Sequence, residues 1–252
     1  MRLLIAAILF MLITANAEGQ PRSFLQQLPQ DTVVDVFVTL DWKALERKKM
    51  DKAYIPATAH VGAVTGAQEM NLKVKTRGHM RLSICAYPPL KLKFNKSDLS
   101  LRACSDMNEM DLVHPCHNGE AYDQFLLREY LAYKLYRLLS PYSFETRLIR
   151  MHYLNSDKTE EHEPTYAFLV ENEEELVDRL NGKRYNSSTI SRNSIEHESY
   201  LLMSLFQFMI GNTDWHMPSR HNLEFIVIQG HPLLISVPFD FDYSGLVSAP
   251  YA

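Results

Sequence analysis

The spacing of apolar residues changes once along this chain, at Glu120, and that change does most to limit what it can fold into. Before it, apolar and polar residues alternate in "TVVDVFVTLDW" (32–42), "YIPATAHVGAV", "MNLKVKTRG" and "PPLKLKFN". Such alternation predicts strands that are apolar on one face and wet on the other. In the last of these, Leu90, Leu92 and Phe94 point one way and Lys91 and Lys93 the other. A basic helical turn, "KALERKKM", interrupts the series, so the first 95 residues read as a small antiparallel sheet.

From Glu120 the period becomes helical, and "EAYDQFLLREYLAYKLYRLLS" predicts one long helix ended by Pro141. Leu127, Leu131, Leu135 and Leu138 form one stripe, and Tyr122, Leu126, Glu129, Tyr133 and Tyr136 the opposite row. Neither Ala132 nor Tyr133, three and four residues past Glu129, is a cation. If that row is buried, the carboxylate needs a positive partner from elsewhere in the fold.

Downstream, "ETRLIRMHYLN" and "PTYAFLVEN" flank the acidic turn "SDKTEEHE" as a hairpin, and a short helix, "EEELVDRLNG", stops at Gly182. Residues 183–193 read as a polar surface loop, and Asn193 with Glu196 as a capping box for the helix "SIEHESYLLMSLFQFMIG", which ends at Gly211. Two short strands, "LEFIVI" and "PLLISVPF", follow. Without internal repeats, this layout is α+β, with a waist near residues 170–175.

The N-terminus carries "MR", the 12-residue apolar run "LLIAAILFMLIT" and the small residues "ANA" before Glu18, the pattern of a secretory leader, residues 1–17, cut after Ala17. Removing 17 of 252 residues leaves 235, and the 46% hydrophobic content suffices for a packed core. No later apolar run nears the length of a membrane span. Twenty-six basic and 30 acidic residues are interspersed for a net charge of −4, which gives no electrostatic basis for nucleic-acid binding. The expected location is therefore secreted or periplasmic. There, Cys85, Cys104 and Cys116 allow one disulfide in any of three pairings; their spacing does not suit thiolate zinc ligation.

The chemistry-bearing residues concentrate late. "IGNTDWHMPSRHN" (210–222) places Asp214 and Asn222 just past a helix end, and "FDFDYSG" places Asp240 and Asp242 on one face of an extended segment. Hard oxygen ligands of this kind suit Mg²⁺, Mn²⁺ or Ca²⁺ rather than zinc. Taken singly, each Asp or Asn has a plainer reading as a turn or cap, and Trp215 as a packing residue. His216 and His221 are five apart, which misses the helical zinc spacing. Together with a strand lysine and Glu129, the set Lys, Glu, Asp, Asn, Asp has the order of the phosphate-gripping and metal-binding groups of protein kinases.

The phrases "TRGHMRLSICAYPPLKLKF", "LREYLAYKLYRLLSPYSFETRLIRMHY", "AFLVENEEEL" and "IGNTDWHMPSRHN…VPFDFDYSGLV" resemble the spore-coat-protein-H (CotH) kinase-like family, in its secreted bacterial branch, from about residue 32 onward. The resemblance implies a two-lobed atypical kinase-like fold, α+β: an antiparallel sheet plus one helix in the N-lobe (about 30–170) and a mostly helical C-lobe (about 171–252). It implies Lys91, or Lys93, as the nucleotide-phosphate lysine, Glu129 as its partner, and Glu171 where a hinge contacts adenine. Asp214 would be the catalytic carboxylate, with Asn222, Asp240 and Asp242 as metal ligands. Cys85 and Cys116 become the expected disulfide, leaving Cys104 free.

The pattern departs from kinases in lacking a G-x-G-x-x-G loop, since only Gly62 and Gly66 occur in "HVGAVTG". It also ends at "SAPYA", sooner after the metal motif than comparable sequences, which predicts a short C-lobe. The implied function is binding of ATP with Mg²⁺ or Mn²⁺ and phosphoryl transfer to a hydroxyl of an envelope or surface protein. An inactive surface-assembly module on the same scaffold is the alternative, and a metal-dependent hydrolase built on Asp214, His216 and Asp240 a third reading.

Overall fold

The computed structural model describes residues 21–62, 69–156, 159, 163–187 and 189–252. The leader, Gly66 and most of the "SDKTEEHE" turn lie outside the described residues. A short helix, α1 (Phe24–Gln27), precedes β1 (Val34–Leu40), α2 (Trp42–Arg47), β2 (Ile55–Val61), β3 (Met70–Thr76), α3 (Met80–Ile84), β4 (Leu90–Phe94), α4 (Lys96–Ser100) and β5 (Glu109–Val113). The long helix α5 (Glu120–Leu139) follows, then β6 (Thr146–Leu154), β7 (Thr165–Glu171), α6 (Glu173–Arg179), β8 (Gly182–Arg184), α7 (His197–Met209), β9 (Leu223–Ile228) and β10 (Ile235–Pro238).

Seven strands close into a barrel in the order β1-β2-β3-β4-β5-β7-β6. Six of the seven pairings are antiparallel, and the parallel pairing of β6 with β1, Val34 opposite Ile149 through Thr39 opposite Leu154, completes the ring. Closure leaves the barrel no open edge. Leu72, Val74, Leu90, Leu92, Phe94, Met110, Leu112, Ile149, Met151 and Leu169 fill the interior, while Lys73, Lys75, Lys91 and Lys93 lie on the outside.

A second core forms against the outer face of β7. Ala167 and Leu169 point into the barrel, and Phe168 and Val170 out into this second core, so "AFLV" is apolar without alternation because both of its faces are covered. Around Phe168 and Val170 gather α5, α7 and the three-stranded sheet β10-β9-β8, through Tyr133, Tyr136, Phe206, Phe225 and Phe241.

This architecture overturns the two-lobed kinase-like expectation. The hairpin β6–β7, read as separate from the first sheet, belongs to the same closed barrel as β1–β5. The part after Glu171 is not mostly helical: among the described residues it holds α-helices of seven and 13 residues beside a three-stranded sheet. The reason is pairing over long sequence distance, which gives β1 two neighbours instead of one.

Two local expectations also change. Lys183 and Arg184 of the polar segment, with Gly182 just before it, pair with β9. The cap of α7 is Glu196 itself, whose carboxylate accepts from the Glu198 and Ser199 amides at 3.0 and 2.6 Å, while Asn193 sits in a preceding 3₁₀ turn. The expected strands, the long helix and the Cys85–Cys116 bridge are present, with Cys104 a free, buried thiol. No helix among the described residues is long and apolar enough to cross a membrane.

Candidate functional site

Helix α5 turns Leu131 and Leu138 outward, 45% and 83% exposed, and buries Leu126, Glu129, Ala132, Tyr133 and Tyr136, with Leu135 packing partly against the second core. A carboxylate thus enters the molecule with two tyrosines, and what meets it there decides the chemistry. The Asp240 amide donates to the Tyr133 hydroxyl oxygen at 2.9 Å. This bond fixes the turn after β10, where Asp240 itself has φ 61°, in the left-handed region that costs energy for a residue with a side chain. Asp242, two residues on, is buried.

The loop from Asp214 to Asn222 closes on itself, which explains its density of polar groups. His216 and His221 exchange backbone hydrogen bonds at 3.1 and 3.0 Å, bringing Asn222 back to Asp214. Asn222 Nδ2 donates to the Asp214 carbonyl at 2.7 Å and to Asp214 Oδ2 at 3.0 Å, and His221 Nε2 lies 2.9 Å from Asp214 Oδ1. Arg220 and Asn222 both have positive φ, 55° and 53°. At the end of α7, Gly211 has φ +64°, a conformation that strains any residue with a side chain, and it meets Gly245 backbone to backbone in ordinary van der Waals contact. The pair pins this loop beside the Asp240–Asp242 turn through the bond from the Gly245 amide to the Gly211 carbonyl, 3.0 Å.

Both segments line a cleft of about 530 Å³ whose opposite wall is the turn after β3, Arg77 to Arg81. Gly78, with φ +80°, makes that turn. A narrower recess continues inward past Asp111, Glu129, Tyr133, Phe144, Glu171 and Asp240.

Arg77 and Arg81 are the cations that face Glu129; neither was expected from the sequence. The sequence-based candidates lie elsewhere. Lys91 Nζ pairs with Asp111 Oδ1 at 3.3 Å, and Lys93 pairs with Glu109 on the barrel exterior. Lys91 is linked to the cleft only through Asp111, whose other oxygen takes Arg77 Nε at 3.1 Å. Glu171 is wholly buried: it receives Arg179 and, at 2.7 Å, the Glu145 amide, so its carboxylate is committed to an internal ion network. The structure therefore brings together Glu129, Asp214, Asn222, Asp240 and Asp242 and leaves Lys93 outside. The missed signal was "TRGHMR", two arginines four apart straddling a glycine turn at a strand end.

Arg81 is the most telling group in the cleft. It is 8% exposed, its Nη2 donates to the His114 carbonyl at 2.6 Å, and its buried Nε has no hydrogen-bond partner among the described residues. It forms no ion pair within 4.0 Å among them, and the Tyr251 ring lies 5.8 Å away. A buried guanidinium with open donors is costly unless an anion or water completes it.

The facing carboxylates are crowded. Burial, with Asp242 and Asp240 adding like charge, pushes the Glu129 carboxyl well above the usual range, against the smaller pull of Arg81 and Arg77. Burial and the neighbouring Asp240 push Asp242 up to about 7. Burial and Glu129 also raise the Tyr133 phenol. Burial lowers the Arg77 guanidinium, but Asp111 and Asp240 outweigh it and the net direction is up.

Because Asp242 holds its proton to about pH 7 when folded and releases it near 3.8 when unfolded, stability falls as pH climbs between those values, and the whole penalty is present above 7. Asp242→Asn is expected to stabilise the ligand-free protein by roughly 2–4 kcal/mol at pH 8, fading to nothing near pH 4. Urea unfolding at the two pH values checks this; an equal gain at both would contradict it.

Among known proteins, no family model matches this chain, and no curated protein matches it.

Proposed function

We propose that the cleft binds ATP together with Mg²⁺ or Mn²⁺ and transfers its terminal phosphoryl group to a hydroxyl of a protein substrate. The observation that carries this reading is the buried, incompletely bonded Arg81 guanidinium facing Asp240 and Asp242 across a cleft of ligand size. Phosphate oxygens match a guanidinium fork, and Arg77 lies in the same turn to share them.

The chemistry does not require a kinase architecture. It requires cations for the phosphates, oxygen ligands for the metal, and a carboxylate near the acceptor hydroxyl. Asp240 and Asp242 are the metal ligands in this reading, with the Asn222 amide oxygen beside them. Among the described residues no three His, Cys, Asp or Glu side chains are grouped closely enough to hold a metal ion by themselves. Mg²⁺ is commonly held by one or two carboxylates plus substrate phosphates rather than by an all-protein cage, and Asp240 and Asp242 are the two carboxylates of this reading. When bound, the ion supplies neutralisation of charge on the phosphates.

Asp214, held by His221 and Asn222, accepts the proton of the attacking hydroxyl as its oxygen bonds to the terminal phosphorus and the bond to the departing diphosphate breaks. The disulfide fits an oxidising compartment, so the substrate class is an exported envelope or surface protein.

Titration calorimetry with Mg·ATP and Mn·ATP tests the reading. The wild type is expected to give a saturable heat that Asp240→Ala reduces by about 30-fold or more in affinity, the loss of one metal-ligating charge. Equal null heats for both proteins would remove the nucleotide claim. Since the carboxylates must ionise to hold metal, affinity should rise from pH 6 to pH 8 with net proton release.

A further inference from the structure

Helix α7 is apolar on both sides, and among the described residues only one side is covered. Met203, Phe206 and Ile210 face the second core, where the Phe206 ring lies 5.0 Å from Tyr136 and 5.8 Å from Phe241. On the opposite side Leu201, Leu205, Phe208 and Met209 are 48%, 56%, 85% and 63% exposed. Their spacing of four, three and one is that of a packing stripe, and a helix apolar all round is normally buried all round.

We infer that this outer stripe of α7 is a dimer interface, packed against the same stripe of a second copy of this chain. Two observations select that occupant. The first is area: taking about 200 Å² for a fully exposed large side chain, the four residues expose on the order of 500 Å², and two copies together reach the roughly 1,000 Å² that a specific interface requires.

The second is charge. Between Leu201 and Met209 the helix has no ionisable side chain, and it has no Lys or Arg anywhere along "HESYLLMSLFQFM". A stripe without charge needs no complementary partner surface and can meet itself about a two-fold axis. Absence of basic residues also distinguishes it from a helix that lies on an anionic membrane, where Lys and Arg flank the apolar face. Leu205 sits near the middle of the stripe, so two antiparallel copies of α7 place it next to its counterpart.

Sedimentation velocity of the protein over a dilution series is the test. The wild type is expected to be a dimer in reversible equilibrium, and Phe208→Glu to weaken it by about 100-fold or more while melting temperature and far-UV dichroism stay put. Leu205→Cys, under mild oxidation, is expected to give a covalent dimer, an assay that does not depend on the charged variant. A wild type that is monomeric at its highest soluble concentration overturns the inference. So does a dimer that Phe208→Glu leaves intact, or a monomer that cosediments with neutral phosphatidylcholine vesicles. The cleft lies outside this stripe, so nucleotide binding and dimerisation can fail independently.

Discussion

Arg81→Met is expected to leave the protein at least as stable as the wild type while lowering affinity for Mg·ATP by about 100-fold. The two effects have opposite signs because they draw on the same unfinished bonding. In the free protein Arg81 is a buried cation with one hydrogen bond among the described residues, to the His114 carbonyl, and an Nε without a partner among them. Replacing such a charge by an apolar side chain of similar length is often neutral or stabilising, here by about 1–2 kcal/mol. In the proposed complex the same guanidinium would donate charge-assisted bonds to phosphate, each about 1.5–3 kcal/mol, and losing two of them would account for the fall in affinity. Inorganic tripolyphosphate should lose binding in parallel with ATP, since neither the base nor the ribose is involved. Thermal melts and calorimetry on one preparation measure both; loss of stability with unchanged affinity would mean that Arg81 is a structural residue.

Removing the disulfide should have the largest effect on stability. Cys85 and Cys116 close a loop of 31 residues, for which the chain-entropy relation gives about 4 kcal/mol. The bridge ties the segment that carries Arg81 to the end of β5, and three further contacts join the same two stretches. These are Arg81 to the His114 carbonyl, the Tyr87 amide to the Cys116 carbonyl at 3.1 Å, and His114 Nε2 at 2.7 Å from the Pro88 carbonyl. The double variant Cys85→Ala with Cys116→Ala is therefore expected to unfold at lower urea by this amount. While still folded, it should bind Mg·ATP roughly tenfold more weakly, because three hydrogen bonds hold Arg81 less firmly than three and a covalent link. Full affinity in the folded double variant would show that the bridge does not position the site.

What the sequence made legible, and what it hid, follows from the range of the interactions involved. Leu90, Leu92 and Phe94 against Lys91 and Lys93 marked β4 because one barrel face is dry and the other wet, a condition each residue meets locally. Barrel closure was hidden, since it depends on Val34–Thr39 lying beside Ile149–Leu154, and no local pattern records a pairing over more than a hundred residues. Helix α5 was legible as a helix, but its inward side was not its leucine stripe. The tyrosines turn inward because their rings fill the second core and the Tyr133 hydroxyl meets the Asp240 amide. Of the candidate site, Glu129, Asp214, Asn222, Asp240 and Asp242 converge, whereas the cation was sought on the β4 strand and stands instead in the Gly78 turn. Lys91 was drawn off by Asp111 directly across the sheet, a cross-strand pair that the sequence of β4 alone does not reveal.

Crystals grown with Mn²⁺ and a non-hydrolysable ATP analogue, with anomalous data at the manganese edge, test most directly that these groups hold a triphosphate and its ion. The expected result is a manganese peak in contact with the Asp240 and Asp242 carboxylates and a phosphate against the Arg81 guanidinium. A peak elsewhere on the molecule, or phosphates that leave Arg81 untouched while the analogue is bound, would contradict it.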